Sequence, residues 1–243
     1  MTENDIGPGR RYLAEVARLI QLVADEEWEN IAAAARAVST ALVAGRGIHA
    51  FGSGHSHLLA EEMYYRAGGL ADVRPILFEG LMLHADAALS TSLERLSGLA
   101  AVLLDGHNVA AGDVLLVFSN SGRNPVAVEL ATEARNRGLT VIAVTSRRHS
   151  ASTAPRGGDR RLLDVADIVI DNGGAPGDAA VQIPGLDRAV APTSTAVGAS
   201  IVNTIVAEAV ALAVSEGVVP RVYASSNIDE GDAINALLME RRG

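Results

Sequence analysis

The sequence predicts a doubly wound α/β domain, a parallel sheet with helices on both faces, preceded by a helical region over residues 1–45. Three observations predict it. Short runs that are apolar throughout, such as "DVLLVF" and "TVIAVT", alternate with helical patterns, which marks parallel strands buried on both faces. Two strand-to-helix turns, "AFGSGHSH" and "FSNSGRNP", concentrate Gly, Ser and Asn. A chain of 243 residues, 49% of them hydrophobic, can bury a core of this size.

The elements follow in order. From Arg10 to Ala44 one or two helices carry an apolar stripe of Leu13, Val16, Leu19, Ile20 and Val23, continued by Trp28, Ile31, Ala35, Val38 and Leu42. Gly45 and Gly47 end it. That stripe needs a cover, either the sheet or a second subunit. "GIHAF" is then a strand, Ser56 to Ala67 a helix, "VRPILF" a strand and Asp86 to Leu104 helical. "DVLLVF" is a strand, Pro125 to Arg137 a helix, and "TVIAVT" and "ADIVID" are strands. Between those two, Ser146 to Leu162 is polar and broken by Pro and Gly, a surface loop. Thr195 to Ser215 is a long helix, and Asp229 to Arg241 closes the chain. Residues 46–243 thus form the α/β domain.

Composition narrows the chemistry. There is no cysteine, so no disulfide, thiolate metal site or cysteine nucleophile. All twenty basic residues are arginine, which removes Schiff-base chemistry and a P-loop lysine. A net charge of -9 argues against a nucleic-acid surface. "MTENDIGPGRR" lacks the features of a secretory signal, and "ASIVNTIVAEAVALAV" carries Asn203, Thr204 and Glu208, so it reads as a buried helix rather than a membrane span. A cytoplasmic location is expected, with no membrane partner.

In open parallel sheets, ligands bind beyond the carboxyl ends of the strands. In "AFGSGHSH", Gly52 and Gly54 allow positive φ and close approach around Ser53, and Ser56 stands where a helix begins. The NAD fingerprint fails, because its third glycine would fall at His57 and no acidic residue ends the next strand. His55 and His57 alone are too few for zinc. In "FSNSGRNP", Ser119, Asn120 and Ser121 offer polar groups, Gly122 lets the chain turn, and Asn124-Pro125 starts a helix. Together these suit a phosphate nest without lysine; an ordinary capped turn is the bland alternative. No cofactor and no metal are expected.

"GSGHS" after the first strand, "SNSGRN" after a later one, and "APTSTAVGASIVNTIVAEAV" near the end resemble, in that order, the sugar isomerase (SIS) domain. "SNSGRN" is similar to its Ser-x-Ser-Gly-x-Thr/Asn phosphate loop, and "APTST" to the loop-to-helix junction of arabinose-5-phosphate isomerases. The resemblance covers roughly Ala37 to Gly217 and is greatest to phosphoheptose isomerases and an uncharacterised bacterial SIS group related to them. It implies a five-stranded parallel sheet, a phosphosugar at the strand ends, and a homodimer or homotetramer with sites near the interface. Carried over by residue, it assigns phosphate binding to Ser119, Asn120, Ser121 and Asn124. Ser56 and the Gly52-Ser53-Gly54 backbone complete the wall, and Thr193, Ser194 and Thr195 contact the sugar.

Aldose–ketose isomerisation through an enediol needs a base and an acid, roles that a carboxylate and a histidine fill once burial tunes them. Glu62 is the candidate base and His84 the proton shuttle, with His55 in reserve; Glu79 and His84 lie in "FEGLMLHAD", which resembles a segment of the isomerase domain of glucosamine-6-phosphate synthase. For Glu61 and Glu62 a solvated helix face competes with catalysis. His49, inside a strand, reads as a core histidine, while His107 and His149 carry no signal. The sequence departs from phosphoheptose isomerases, with Glu62 where their metal-linked His is expected and Arg66 where their Glu is expected. An expected sugar-phosphate isomerase therefore stands beside two alternatives. One is a non-catalytic phosphosugar sensor; the other is a phosphosugar ether lyase, whose acidic signature after the first turn is not evident.

Overall fold

The computed structural model of the chain describes residues 7–240. The first six residues of the proposed 1–45 region and residues 241–243, including Arg241 of the last expected helix, lie outside the described residues.

The helices are α1 (Pro8–Glu26), α2 (Trp28–Val43), α3 (His57–Glu62), α4 (Ala87–Leu93), α5 (Leu99–Asp105), α6 (Pro125–Asn136), α7 (Arg147–Ala151), α8 (Leu162–Val165), α9 (Ser194–Ser215) and α10 (Gly231–Glu240). The strands are β1 (Ile48–Gly52), β2 (Val73–Ile76), β3 (Val114–Phe118), β4 (Thr140–Thr145), β5 (Ile168–Asp171), β6 (Ala179–Val181) and β7 (Val190–Pro192). The first five make one parallel sheet in the order β2-β1-β3-β4-β5, as expected. The second sheet, a β6–β7 antiparallel hairpin, has no counterpart in the sequence reading, because its three-residue strands are too short to show alternation.

Side-chain alternation along the strands divides the core. On one face Ile48, Ala50, Leu116 and Phe118 pack with α1, α2, α3 and α9; on the other Phe51, Leu115, Val117 and Val141 pack with α5, α6 and α8. Helix α9 is long and apolar enough to cross a membrane, yet Val197, Ile201, Val202, Ile205 and Ala209 are buried in this core. It packs along α2 and α3.

Three expectations are corrected. The helix over Ser56 to Ala67 stops at Glu62, because Tyr65 takes positive φ and Gly68 follows with φ 80°. The stretch Asp86 to Leu104 splits at Gly98, whose φ of 89° no helix accommodates. The surface loop Ser146 to Leu162 contains α7, started by Ser146, whose side chain accepts from the His149 N–H at 3.0 Å. In α1 only Leu19 and Val23 are buried; Leu13 is 67% exposed, and Ile20 and Trp28 also face outward.

Candidate functional site

The chain runs from β1 outward to β2 and then returns past β1 to β3. The crossovers therefore diverge between β1 and β3, and a crevice opens at their carboxyl ends, the place where doubly wound sheets hold ligands. Both glycine-rich turns leave the sheet there, since Gly52 pairs with Phe118 in the parallel register.

The β1 turn is built on close approach. A Cβ on Gly52 would lie 2.3 Å from the Ser56 carbonyl oxygen, so only glycine fits, and Gly54 has φ 56°. The Ser53 hydroxyl donates to Glu94 at 3.1 Å. Ser56 closes a single 3-10 turn over Gly54–Ser56. His55 is exposed and His57 is buried. His57 Nδ1 contacts the Gly54 carbonyl oxygen, an acceptor only, so Nδ1 carries a proton. Its Nε2 lies 3.6 Å from Glu61, and the His57 and His84 ring centres are 6.0 Å apart.

The β3 turn offers donors. Gly122, at φ 57°, lets the chain double back, and its N–H donates to Ser119 Oγ at 3.2 Å. The backbone N–H groups of Asn120, Ser121, Arg123 and Asn124 find no acceptor among the described residues. They precede α6, whose first residue is Pro125, so the helix dipole adds to their pull on an anion. The Ser121 hydroxyl has no partner there either.

Residues the sequence reading passed over hold this turn. The Asn120 carbonyl oxygen accepts from the Ser146 N–H at 3.1 Å. Its side-chain oxygen accepts from Asn172 Nδ2 at 2.9 Å, and its Nδ2 donates to His149 Nδ1 at 3.3 Å. Burial pushes the His149 imidazole below its ordinary value, Asp178 opposing and Arg123 adding to the shift, so near neutral pH His149 is an uncharged acceptor. The Asn120 amide is thereby committed to the scaffold, which leaves its backbone N–H as the group free for a ligand. Thr145-Ser146 and Asn172 stand at the ends of β4 and β5; reading every strand end for polar residues would have found them. Asn124 Oδ1 accepts from Arg156 at 3.3 Å.

The remaining candidates lie on α3, on α9 and at the start of α9. Thr193 and Ser194 give their N–H and hydroxyl groups to Asp178, which starts α9; Thr193 is buried. Thr195 lines a groove between α3 and α9 with Leu58, Glu61, Glu62 and Arg66. There Glu62 Oε1 pairs with Arg66 and accepts from Asn203 Nδ2 at 2.8 Å. No hydrogen bond or ion pair joins Glu62 to His84 among the described residues. A guanidinium beside Glu62 is the reverse of what a metal needs, and no three His, Asp or Glu side chains among the described residues converge on a metal position. The zinc arrangement that a phosphoheptose isomerase would imply does not fit these residues.

A larger cleft of about 700 Å³ opens away from the crevice, beside β2, lined by His49, Arg74 and His107 among others. His49 there is a core histidine, its Nε2 on Asp113 at 3.1 Å. Chemistry rather than size favours the β1/β3 crevice, where the free donors lie.

A family model for the SIS domain matches residues 11–146. The chain belongs to the SIS domain family. A UPF0309 protein of Listeria monocytogenes serotype 4b is 42% identical over 231 residues, 95% of this chain and 94% of that protein. A UPF0309 protein of Geobacillus thermodenitrificans is also 42% identical, over 95% and 93%. Solved structures share the fold. A phosphoheptose isomerase from Francisella tularensis superposes with TM-score 0.54 at 19% identity, covering 86% of this chain and 98% of that one. The sugar isomerase domain of an RpiR transcription factor from Sphaerobacter thermophilus gives 0.51 at 14%, over 96% of each. The Vibrio vulnificus NanR protein complexed with ManNAc-6P gives 0.50 at 16%, over 96% of this chain and 69% of that one. Within the SIS domain of this chain, the β3 turn supplies the free donors.

Proposed function

We propose that the protein binds a sugar phosphate in the β1/β3 crevice and interconverts its aldose and ketose forms through an enediol. The observation that carries the binding is the β3 turn: four unpartnered N–H groups at a helix N-terminus, beside the Ser119 and Ser121 hydroxyls. Ser56 and the Gly52–Gly54 backbone form the opposite wall. SIS neighbours whose names carry a sugar-phosphate activity or ligand support the same reading.

For the chemistry, the base takes a proton from the carbon beside the carbonyl, and an acid shuttles protons on the oxygens. Glu62 is the proposed base through Oε2, the oxygen that Arg66 and Asn203 leave free. His84 is the proposed shuttle, its ring centre 6.0 Å from that of His57, with His55 at the mouth. The site works without a resident metal or cofactor. The same proposal holds that the 1–45 helical region serves the 46–243 domain in a cytoplasmic homodimer or homotetramer, with no nucleic-acid partner. Exposed Leu13, Ile20 and Trp28 support such association.

A second reading, a phosphosugar sensor, is favoured by one observation: Arg66 and Asn203 both engage Glu62 Oε1, an arrangement that steadies a carboxylate rather than freeing it. Thermal shift against sugar phosphates and their free sugars tests binding, since a ligand of the native state raises the melting temperature. A shift with a phosphosugar and none with its free sugar supports the reading, and turnover of that ligand then separates isomerase from sensor. No shift with any phosphosugar overturns both.

A further inference from the structure

Three arginines gather at the rim of the crevice. Arg123 belongs to the β3 turn, Arg156 to the loop before α8, and Arg95 to the end of α4. The Arg156 N–H donates to the Arg123 carbonyl oxygen at 3.0 Å, and its guanidinium reaches Asn124 at 3.3 Å. Arg95 is placed by its neighbour. Glu94 accepts from Ser53 of the β1 turn at 3.1 Å, and its carbonyl oxygen accepts from the Val126 N–H in the first turn of α6 at 3.4 Å. The end of α4 therefore bridges the two walls of the crevice, and Arg95 follows Glu94 directly in the chain, close enough for its charge to act on Arg156.

The cluster is under-neutralised. Among the described residues none of the three guanidinium groups has a carboxylate within ion-pair distance. Glu94 is the nearby acid, and one of its oxygens is occupied by Ser53. Arg123 Nε is buried with no partner. Burial, and then the charges of Arg123 and Arg95, make Arg156 harder to keep protonated, with Glu94 acting the other way. Holding like charges together without counter-ions costs energy that an anionic ligand recovers. The four free N–H groups of the β3 turn already suffice for one phosphate, and Arg95 and Arg156 come from outside that turn.

We propose that the ligand is a sugar phosphate carrying a second anionic group, a carboxylate or a second phosphate, which Arg95, Arg123 and Arg156 bind at the rim. This rests on the phosphosugar reading of the crevice. Guanidinium groups suit both chemistries, because each presents two parallel donors to a pair of oxygens.

Calorimetric titration of the full chain at matched ionic strength tests it, with inorganic phosphate, fructose 6-phosphate, fructose 1,6-bisphosphate and 6-phosphogluconate as probes. A doubly anionic probe is expected to bind at least about tenfold more tightly than fructose 6-phosphate, about 1.4 kcal/mol. Whether the bisphosphate or the phosphogluconate gains more identifies the second group. Arg95→Gln and Arg156→Gln, with unliganded melting temperatures near that of the parent, should bring the ratio close to one. Equal affinity for singly and doubly anionic probes in the parent overturns the proposal, as do variants that weaken all probes by the same factor. Failure of every probe, inorganic phosphate included, removes the phosphosugar reading itself and the proposal with it.

Discussion

Replacing Gly122 with alanine tests the β3 turn at its pivot. Gly122 sits at φ 57°, where a side chain costs about 1–2 kcal/mol. The added Cβ would lie 3.1 Å from Thr145 Oγ1, 3.4 Å from Leu162 Cβ and 3.5 Å from Ser150 Oγ, so the turn must also shift. A total near 2 kcal/mol corresponds to a fall in melting temperature of about 4–8 °C for a chain of this size. The shift re-aims the neighbouring N–H groups. A hydrogen bond to a charged partner is worth about 1.5–3 kcal/mol, so loss of even one weakens phosphate binding about tenfold or more. Gly185→Ala is the control, since Gly185 has φ 89° and nothing within 4 Å of the added Cβ. Melting curves and phosphosugar titrations on both variants decide it. Both should melt lower, and Gly122→Ala alone should lose affinity. Unchanged affinity in Gly122→Ala, or equal loss in the two, would refute the reasoning.

Three further outcomes follow from the structure. Asp113→Ala removes a buried carboxylate that accepts from the Gly47 N–H at 2.8 Å, the Ala110 N–H at 2.9 Å and His49 at 3.1 Å; urea denaturation should show a loss of about 1–3 kcal/mol, the cost of leaving buried donors unsatisfied. Burial pushes His49 below its ordinary value, against the pull of Asp113. Below about pH 6.5 the unfolded chain therefore takes up a proton before the folded one, and stability falls as pH drops. Asp113, held low by Ala110, Gly47 and His49 against its burial, adds a further loss of the same sign below the carboxylate value of 3.8. Melting temperatures from pH 8 to 5 should decline in the parent and less steeply in His49→Gln, and an equal slope in both would contradict the assignment. Glu62→Gln should abolish turnover of a substrate while leaving its dissociation constant within about threefold, whereas a sensor has no turnover to lose.

What the sequence made legible is local. β1, β3 and β4 read cleanly, because strands buried on both faces are apolar without interruption, and the two glycine turns stood out through backbone demands that few residues meet. The network around Asn120 did not, since Asn172 is 52 residues away and His149 is 29 away, and nothing in the sequence pairs them. Asp178 escaped for a similar reason: it caps α9 from fifteen residues upstream, from a segment whose short strands leave no periodic pattern. The early end of α3 depends on the Gly68 N–H donating to the Tyr223 carbonyl oxygen, a contact across the fold that helix propensity cannot register. Arg66 was visible as a departure from the phosphoheptose isomerase pattern, but its pairing with Glu62 and the reach of Asn203 from α9 required the structure.

The most direct test of the central claim is a crystal structure of the protein with a bound sugar phosphate. The account predicts the phosphate on the β3 turn, within hydrogen-bond distance of the N–H groups of Asn120, Ser121, Arg123 and Asn124, with the sugar against the β1 turn. A phosphate seated instead in the cleft lined by His49, Arg74 and His107 would contradict it.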